Sequence, residues 1–202
     1  MDVAAAAGWA PQALAEAFFA GGATLVQIRA KQLDSGPFLE LCDAVVTLGA
    51  AYGARVIVND RVDLALLAGA AGAHVGQDDL APAAARAQLG AAAIVGCSTH
   101  DAAQAARAAL EPVTYIAVGP IFGTRTKQTG YEPVGLDLVR TARRLAPGCP
   151  IVAIGGITLD TAPAVLAAGA TAVAVITDLV AHGDPAARVA SYNRLASGRP
   201  GG

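Results

Sequence analysis

The sequence predicts an α/β fold, specifically a closed (β/α)8 barrel of the TIM type, formed by a single domain over residues 1–202. Short apolar runs alternate with segments of helical composition along the whole chain, which is typical of a parallel sheet covered by helices. The runs show no polar alternation, as expected for strands buried on both faces. No linker or change of composition divides the chain, and residues 197–202 are predicted to form a frayed tail.

The individual elements follow from local patterns. The predicted strands cover residues 25–28, 55–58, 72–75, 93–95, 115–118, 151–154 and 172–176. The predicted helices cover residues 11–20, 37–51, 63–68, 82–89, 101–110, 135–145, 159–168 and 185–196. Gly21 and Gly22 end the first helix, the second has apolar residues at helical spacing from Phe38 to Leu48, and Gly119-Pro120 ends the fifth strand.

Two architectures fit alternating strands and helices, the closed barrel and an open, doubly wound sheet. The residues that resemble a binding site decide between them, because they follow six different strands spread over the chain. In a barrel all strand ends meet at one mouth, whereas in an open sheet most would lie far from the switch point where ligands bind. We therefore predict the barrel.

Composition excludes several classes of function. The net charge of -2 gives no sign of a nucleic-acid surface or a basic membrane patch. The three cysteines are far apart and match no zinc spacing and no disulfide framework, which favours buried, reduced thiols in a cytoplasmic protein. The longest apolar tract, 162–177, contains Pro163 and Gly169 and is interpreted as a helix followed by a strand, not as a membrane span.

Acidic side chains follow two successive predicted strands. Asp60 comes directly after Asn59 at the end of the second strand, and Asp79 follows the third. Two carboxylates and an amide are oxygen ligands of the kind that Mg²⁺ prefers. The alternatives are a helix N-cap for Asp60 and a solvated turn for Asp79, and the sequence leaves both open.

Cations and hydroxyls stand at other strand ends. Arg29 and Lys31 leave the first strand at alternate positions, so both can face the same side. The loop after the fifth strand carries Thr124, Thr126 and Lys127, which suit a phosphate because hydroxyls donate hydrogen bonds and the ammonium neutralises charge. Together with the carboxylates, these cations predict a pyrophosphate site that uses Mg²⁺.

Further positions suggest contacts to the rest of a ligand. Gly155-Gly156 and Thr177 follow the last two strands, where glycine turns and helix starts of barrels hold phosphate. Gln27 lies inside the first strand, where its amide can bond a heterocycle or fill the barrel. Ser98 is expected to lack an adjacent base and acid, which argues against a nucleophilic triad. His74 is interpreted as a core histidine.

Six short segments, in order along the chain, resemble motifs of the thiamine-phosphate synthase family. They read VQIRAK at 26–31, VNDRVD at 58–63, HVGQDD at 74–79, GCSTH at 96–100, GPIFGTRTK at 119–127 and AIGGI at 153–157. The resemblance implies a (β/α)8 barrel that joins a hydroxymethylpyrimidine diphosphate to a thiazole phosphate and releases pyrophosphate, by way of a pyrimidine cation. Two departures are mild: Ala30 replaces an acidic residue, and Thr177 replaces a serine.

The resemblance also implies a role for each candidate residue. Mg²⁺ is held by Asp60 and Asp79, the diphosphate by Arg29, Lys31, Asn59 and Lys127, the pyrimidine by Gln27 and Ser98, and the thiazole phosphate by Thr124, Thr126, Gly156, Ile176 and Thr177. Lys127, Arg29 and Ser98 are the residues we take as catalytic. The partners are small molecules, with no nucleic acid and no membrane, and the sequence leaves open whether the chain forms a homo-oligomer.

Two alternatives share this fold. One is a related thiazole tautomerase, an isomerase that relies on a histidine, and the other is a non-catalytic phosphate-binding barrel. The intact diphosphate residues and the Thr-x-Thr-Lys loop favour the synthase.

The first barrel strand is expected to be missing or reduced to a stub. Only seven strands are predicted, and residues 3–7 are poor strand material. A true start upstream of Met1 is one explanation for such a stub.

Overall fold

Seven parallel strands form one sheet in a computed structural model, which describes residues 1–4, 6, 8–123 and 131–198. The strands are β1 Leu25–Ile28, β2 Arg55–Asn59, β3 Gly72–Val75, β4 Ile94–Thr99, β5 Tyr115–Val118, β6 Ile151–Ile154 and β7 Ala172–Ala174. The helices are α1 Pro11–Ala20, α2 Ser35–Ala51, α3 Val62–Leu67, α4 Pro82–Leu89, α5 Ala102–Ala108, α6 Gly135–Leu145, α7 Ala162–Ala167, α8 Thr177–Val180 and α9 Pro185–Ser197. Each strand pairs in parallel with the next strand of the sequence. The predicted parallel α/β fold is therefore confirmed.

The sheet curls so that its two ends approach each other. Asn193 of α9 donates hydrogen bonds to the carbonyls of Gly21 at 3.2 Å and Gly22 at 3.0 Å, directly after α1. The last helix therefore lies beside the first, which a flat sheet of seven strands would not allow. The curled, covered sheet is TIM-barrel-like, and it brings the carboxyl ends of its strands to a common side.

The N-terminal segment extends this arrangement by one residue pair. Asp2 and Arg29 form an isolated parallel bridge beyond β1, in which the Val3 amide donates to the Arg29 carbonyl at 3.0 Å and the Arg29 amide donates to the Met1 carbonyl at 2.9 Å. The segment therefore lies along the free side of β1, where an eighth strand of a barrel would pair.

The core lies on both faces of the sheet. Between the strands and helices, side chains such as Ile28, Val58, Ile116 and Ile151 are fully buried. Inside the curl, Ile57, Ile94, Tyr115 and Ala117 form a smaller cluster. Complete burial of β3, β4 and β5 confirms the expectation drawn from their unbroken apolar runs.

That expectation is wrong for the end of the sheet at β6 and β7. Ile154 is 40% exposed and β7 is only partly buried, because Ile154 and Ala174 border a cavity instead of packed side chains. β7 also ends at Ala174, two residues earlier than predicted, and the short helix α8, which the sequence did not predict, begins at Thr177. β4 runs on to Thr99, so Ser98 lies within a strand and not after it.

The cysteines are free in the described part of the chain. Cys42 and Cys97 are buried as predicted, and burial raises the pKa of their thiols to about 12 and about 11. Cys149 is only partly buried, so that prediction is wrong for this residue. Among residues 1–4, 6, 8–123 and 131–198, no helix combines the length and apolar character that crossing a bilayer requires. The single-domain organisation and the tail from residue 197 stay predictions, with α9 ending at Ser197.

Candidate active site

A cavity of about 510 Å³ opens at the carboxyl ends of the strands. Of the residues predicted from the sequence, six contribute to its wall: Gln27, Arg29, Ser98, Gly156, Ile176 and Thr177. They come from β1 and the residue that follows it, from β4, and from the segments after β6 and β7, which meet only because the sheet curls. The wall also contains Ile154, Ile157 and Val175, which give it an apolar surface suited to planar rings.

Two carboxylates and a lysine form a second cluster at the same edge of the sheet. The Lys31 ammonium lies 2.9 Å from Asp60 Oδ2, and the Gly76 amide donates to Asp79 Oδ2 at 2.7 Å. Burial raises the pKa of Asp79, and the neighbouring Asp60 carboxylate raises it further. The two acidic side chains predicted to act together are therefore adjacent.

Local backbone geometry explains how Asp60 reaches this position. Its φ of 63° is left-handed, a conformation that asparagine and aspartate tolerate better than other residues with a side chain. Its amide donates to the His74 carbonyl at 2.8 Å, which ties the end of β2 to β3. The residue preceding α3 is Arg61, so the alternative of a helix cap for Asp60 is not what the structure contains. Asn59 is buried beside it at the end of β2.

Arg29 is an ion-paired cation in the cavity wall. Its guanidinium donates to the Asp2 carboxylate, and within the described residues its buried Nε has no hydrogen-bond partner. A guanidinium has five N–H donors, so the pair with Asp2 leaves donors available for a ligand. Each of the two cations has an acidic neighbour, Asp2 for Arg29 and Asp60 for Lys31. That Arg29 and Lys31 face the same side stays a prediction.

A chain of buried polar side chains connects three neighbouring strands. His74 of β3 contacts the Ser98 hydroxyl through Nε2 at 2.8 Å and the Tyr115 hydroxyl through Nδ1 at 2.8 Å. The prediction that His74 is a buried core histidine is confirmed. The inference that Ser98 lacks a neighbouring base is wrong, since parallel register brings His74 beside it from 24 residues away in sequence.

A glycine makes room for this chain of contacts. Gly96 lies opposite both His74 and Tyr115 in the strand register, and a Cβ atom at Gly96 would lie 2.1 Å from the Tyr115 ring. The pattern of an aromatic residue, a glycine and a histidine on adjacent strands is a signal that sequence reasoning missed. It becomes visible only once the register of the strands is known.

The segment after β6 is a tight glycine turn. Gly155 and Gly156 have φ values of 98° and 65°, and the Phe122 amide donates to the Gly155 carbonyl at 3.1 Å. A Cβ atom at Gly156 would lie 2.6 Å from the Gly123 carbonyl oxygen. Only glycine fits this close approach, and both glycines line the cavity.

Asp178 of α8 links the segment that follows the glycine turn to α9, a role that the sequence did not indicate. Its carboxylate accepts hydrogen bonds from Arg188 Nε and Nη2, both at 3.0 Å, from the Tyr192 hydroxyl at 2.6 Å and from the Leu159 amide at 3.3 Å. Burial alone would raise the pKa of Asp178, but the bonds from Arg188 and Tyr192 outweigh it and lower that pKa. This link holds the segment after β6 close to Thr177, so the two predicted phosphate contacts stay together.

His100 also borders the cavity. Its Nδ1 contacts the Gly119 carbonyl at 2.5 Å and its ring stacks on Tyr131 at 3.8 Å between centroids. Three predicted residues, Thr124, Thr126 and Lys127, lie outside the described residues. The roles assigned to all of these side chains remain predictions at this point.

The sequence and the fold are similar to those of known proteins. A family model described as thiamine monophosphate synthase matches residues 6–179. A thiamine-phosphate synthase of Mycolicibacterium smegmatis is 44% identical over 182 residues, covering 86% of this chain and 80% of the relative. That of Chloroflexus aurantiacus is 40% identical over 196 residues, covering 97% and 90%. The structure of a thiamine phosphate pyrophosphorylase from Pyrococcus furiosus superposes with a TM-score of 0.84 at 27% identity, covering 92% of this chain and 89% of that one.

Proposed function

The chain belongs to the thiamine monophosphate synthase family, and we propose that it joins a hydroxymethylpyrimidine diphosphate to a thiazole phosphate, giving thiamine phosphate and pyrophosphate. It is accordingly a transferase of thiamine biosynthesis. The observation that carries the proposal is the pair Asp60 and Asp79, held together with Lys31 at the edge of the sheet where the strands end and where a separate apolar cavity opens. That combination suits a substrate with a charged diphosphate at one end and a ring at the other.

The acidic pair fits Mg²⁺ as the cofactor. Burial is the largest cause of the raised pKa of Asp79, and the neighbouring Asp60 carboxylate raises it further; a hard divalent cation would stabilise the charged form of both carboxylates. Within the described ranges no cluster of three or more His, Cys, Asp or Glu side chains could hold a metal, so water and substrate oxygens would complete the coordination. Bound there, Mg²⁺ supplies positive charge to the departing diphosphate.

The cations and Asn59 would hold the diphosphate itself. Arg29 and Lys31 both follow the end of β1, and the resemblance adds Lys127 as a third cation. Pyrophosphate carries away the electron pair of the C–O bond as it leaves, so these positive charges stabilise a charge that grows in the transition state. For that reason we assign Arg29 and Lys127 as catalytic residues, and Ser98 as the catalytic hydroxyl.

The apolar cavity would hold the two rings. Gln27 and Ser98 are in its wall to bond the pyrimidine, while Gly156, Ile176 and Thr177, with Thr124 and Thr126, would hold the thiazole phosphate. The thiazole nitrogen then donates its electron pair to the methylene carbon and forms the C–N bond. Ile154, Ile157 and Val175 exclude water, which would otherwise capture the same carbon.

The direct test is incubation of the purified chain with both substrates and Mg²⁺, followed by chromatography for thiamine phosphate. We expect product and pyrophosphate in equal amounts, and no product when a chelator is present. Isomerisation of the thiazole without condensation would replace the proposal with the tautomerase, and substrate binding without any turnover would replace it with a phosphate-binding barrel.

A matched pair of variants tests the role of the carboxylates. Asp60→Asn removes the charge but keeps a residue that tolerates the left-handed φ, so the fold is retained. Losing charge stabilisation of this kind costs about 2.7–4 kcal/mol in the barrier, or roughly 10²–10³-fold in rate. The control, Asp63→Asn, removes an exposed carboxylate that forms a surface ion pair with Arg61, with 2.6 Å between Oδ2 and Nη2. Equal activity of both variants would contradict the assignment.

We also propose the finer features of the fold and its setting. Residues 1–4 stand in the place of the first barrel strand as a stub, supported by the single bridge between Asp2 and Arg29. The whole chain is proposed to be one domain that acts in the cytoplasm. Hydrogen exchange of the Val3 and Arg29 amides tests the stub, because protection equal to that of β2 would indicate a full strand.

A further inference from the structure

Three buried side chains on adjacent strands form a continuous path that ends at the cavity. Tyr115 lies on β5, His74 on β3 and Ser98 on β4 between them, and all three are less than 9% exposed. The rings of His74 and Tyr115 stack with centroids 5.6 Å apart. Of the three, Ser98 borders the cavity. From this geometry, and resting on the function proposed above, we propose that His74 and Tyr115 are positioning residues that hold the Ser98 hydroxyl as a hydrogen-bond donor to the pyrimidine ring.

The direction of the hydrogen bonds follows from the first member of the path. Burial raises the pKa of Tyr115 above its ordinary value, so its hydroxyl keeps its proton. The neighbouring Gln27 side chain acts in the opposite sense and lowers that pKa by a smaller amount than burial raises it. Tyr115 therefore has a proton to donate, and in this proposal it donates that proton to His74 Nδ1, 2.8 Å away.

The tautomer of His74 then determines the state of Ser98. A neutral imidazole has one N–H donor and one acceptor nitrogen, so accepting at Nδ1 places the proton on Nε2. Nε2 donates to Ser98 Oγ at 2.8 Å. Ser98 Oγ then accepts the hydrogen bond from His74 Nε2, so the Ser98 hydroxyl proton is free to be donated to a ligand in the cavity.

Two side chains of the cavity wall, Ser98 and Gln27, would present complementary groups to the pyrimidine. Ser98 and Gln27 both line the cavity, so with Ser98 as the O–H donor the side-chain oxygen of Gln27 would supply the acceptor. An aminopyrimidine carries a ring nitrogen that accepts and an amino group that donates, side by side. A fixed donor and a fixed acceptor suit that edge without any reorientation when the substrate arrives.

Nitrogen NMR of the full chain labelled with ¹⁵N-histidine tests the direction without any substrate. The chain has three histidines, and His182→Gln, which removes an exposed side chain, assigns one signal. We expect the His74 ring to be protonated on Nε2 and unprotonated on Nδ1, and Tyr115→Phe to convert it to a mixture of tautomers. A wild-type His74 with its proton on Nδ1, or on both nitrogens, would overturn the proposal.

Kinetics of Tyr115→Phe test the consequence. The variant keeps the ring and loses one hydroxyl, and we expect kcat/KM for the pyrimidine diphosphate to fall on the order of tenfold with the KM for the thiazole phosphate unchanged. In a Ser98→Ala background the same change should have no further effect, because Tyr115 acts through Ser98. Tyr52→Phe, on an exposed ring that stacks on Phe19, is the matched control and should behave as wild type.

The outcomes separate this proposal from the function on which it rests. An active wild type whose Tyr115→Phe variant has unchanged kinetics rejects the positioning role alone. A wild type that makes no thiamine phosphate rejects the proposed function, whatever the tautomer of His74. Additive losses in the double variant would show that Tyr115 acts on folding or on another contact, and they would also reject the positioning role.

Discussion

Gly156→Ala tests the claim that the turn after β6 works by close approach of the backbone. The substitution adds a single Cβ atom at a φ of 65°, 2.6 Å from the Gly123 carbonyl oxygen and 2.9 Å from Phe122 Cβ. Two of its neighbours are therefore nearer than real Cβ contacts allow, and the nearest is backbone. The segment at Gly123 must move, and that segment leads directly to Thr124 and Thr126, the predicted phosphate contacts.

The magnitude can be separated into two parts with a control. Gly69 has nearly the same φ, 61°, with open space around a built Cβ atom. The stability lost in Gly69→Ala is therefore only the cost of the left-handed backbone conformation. That part is about 1 kcal/mol. Overpacking in a filled site adds about 1–3 kcal/mol, so Gly156→Ala should lose about 2–4 kcal/mol of unfolding free energy.

Urea unfolding and steady-state kinetics of both variants provide the measurement. We expect Gly156→Ala to raise the KM for the thiazole phosphate on the order of tenfold, with little change for the pyrimidine diphosphate. Gly69→Ala should leave both KM values unchanged. Equal losses of stability in the two variants, together with an unchanged KM, would refute the argument from close approach.

Three further substitutions probe other parts of the molecule. Arg86→Met should lower the unfolding free energy by about 2–3 kcal/mol and leave kcat/KM unchanged. The Arg86 guanidinium donates hydrogen bonds to the Pro112 carbonyl, to other carbonyls and to the Thr114 hydroxyl, at the end of the sheet away from the cavity. A change in kcat/KM would contradict this reasoning. The lowered pKa of Asp178 contributes stability that is present above its ordinary value of 3.8 and is lost as the pH falls through the folded value. Asp178→Asn should therefore unfold more easily than wild type at pH 6, by about 1–3 kcal/mol, and urea titrations should show that difference shrinking below about pH 4. Gly96→Ala should displace the Tyr115 ring, which lies 2.1 Å from the added atom. Steady-state kinetics should then show a loss of activity that is larger than the change in the KM for the thiazole phosphate accounts for.

Much of the secondary structure follows from local sequence, because local patterns are sufficient to specify it. The strand from Leu25 to Ile28 and the helices from Pro11 to Ala20 and from Gly135 to Leu145 have the bounds that apolar periodicity and glycine or proline punctuation predict. Alternation of these elements is enough to predict a parallel sheet, since a parallel crossover needs a helix. The candidate carboxylates were also predictable, because residues after parallel strands must collect at one edge.

Tertiary structure alone decided which side chains meet. His74 contacts Ser98 and Tyr115 because strand register places them side by side, and register depends on pairing between segments 24 and 41 residues apart. Asp178 meets Leu159 and Arg188 only once α8 and α9 pack against the end of the sheet. Residue type and spacing along a chain determine which elements form, whereas contacts between distant elements depend on how the sheet curls, and that is a property of the packed core as a whole.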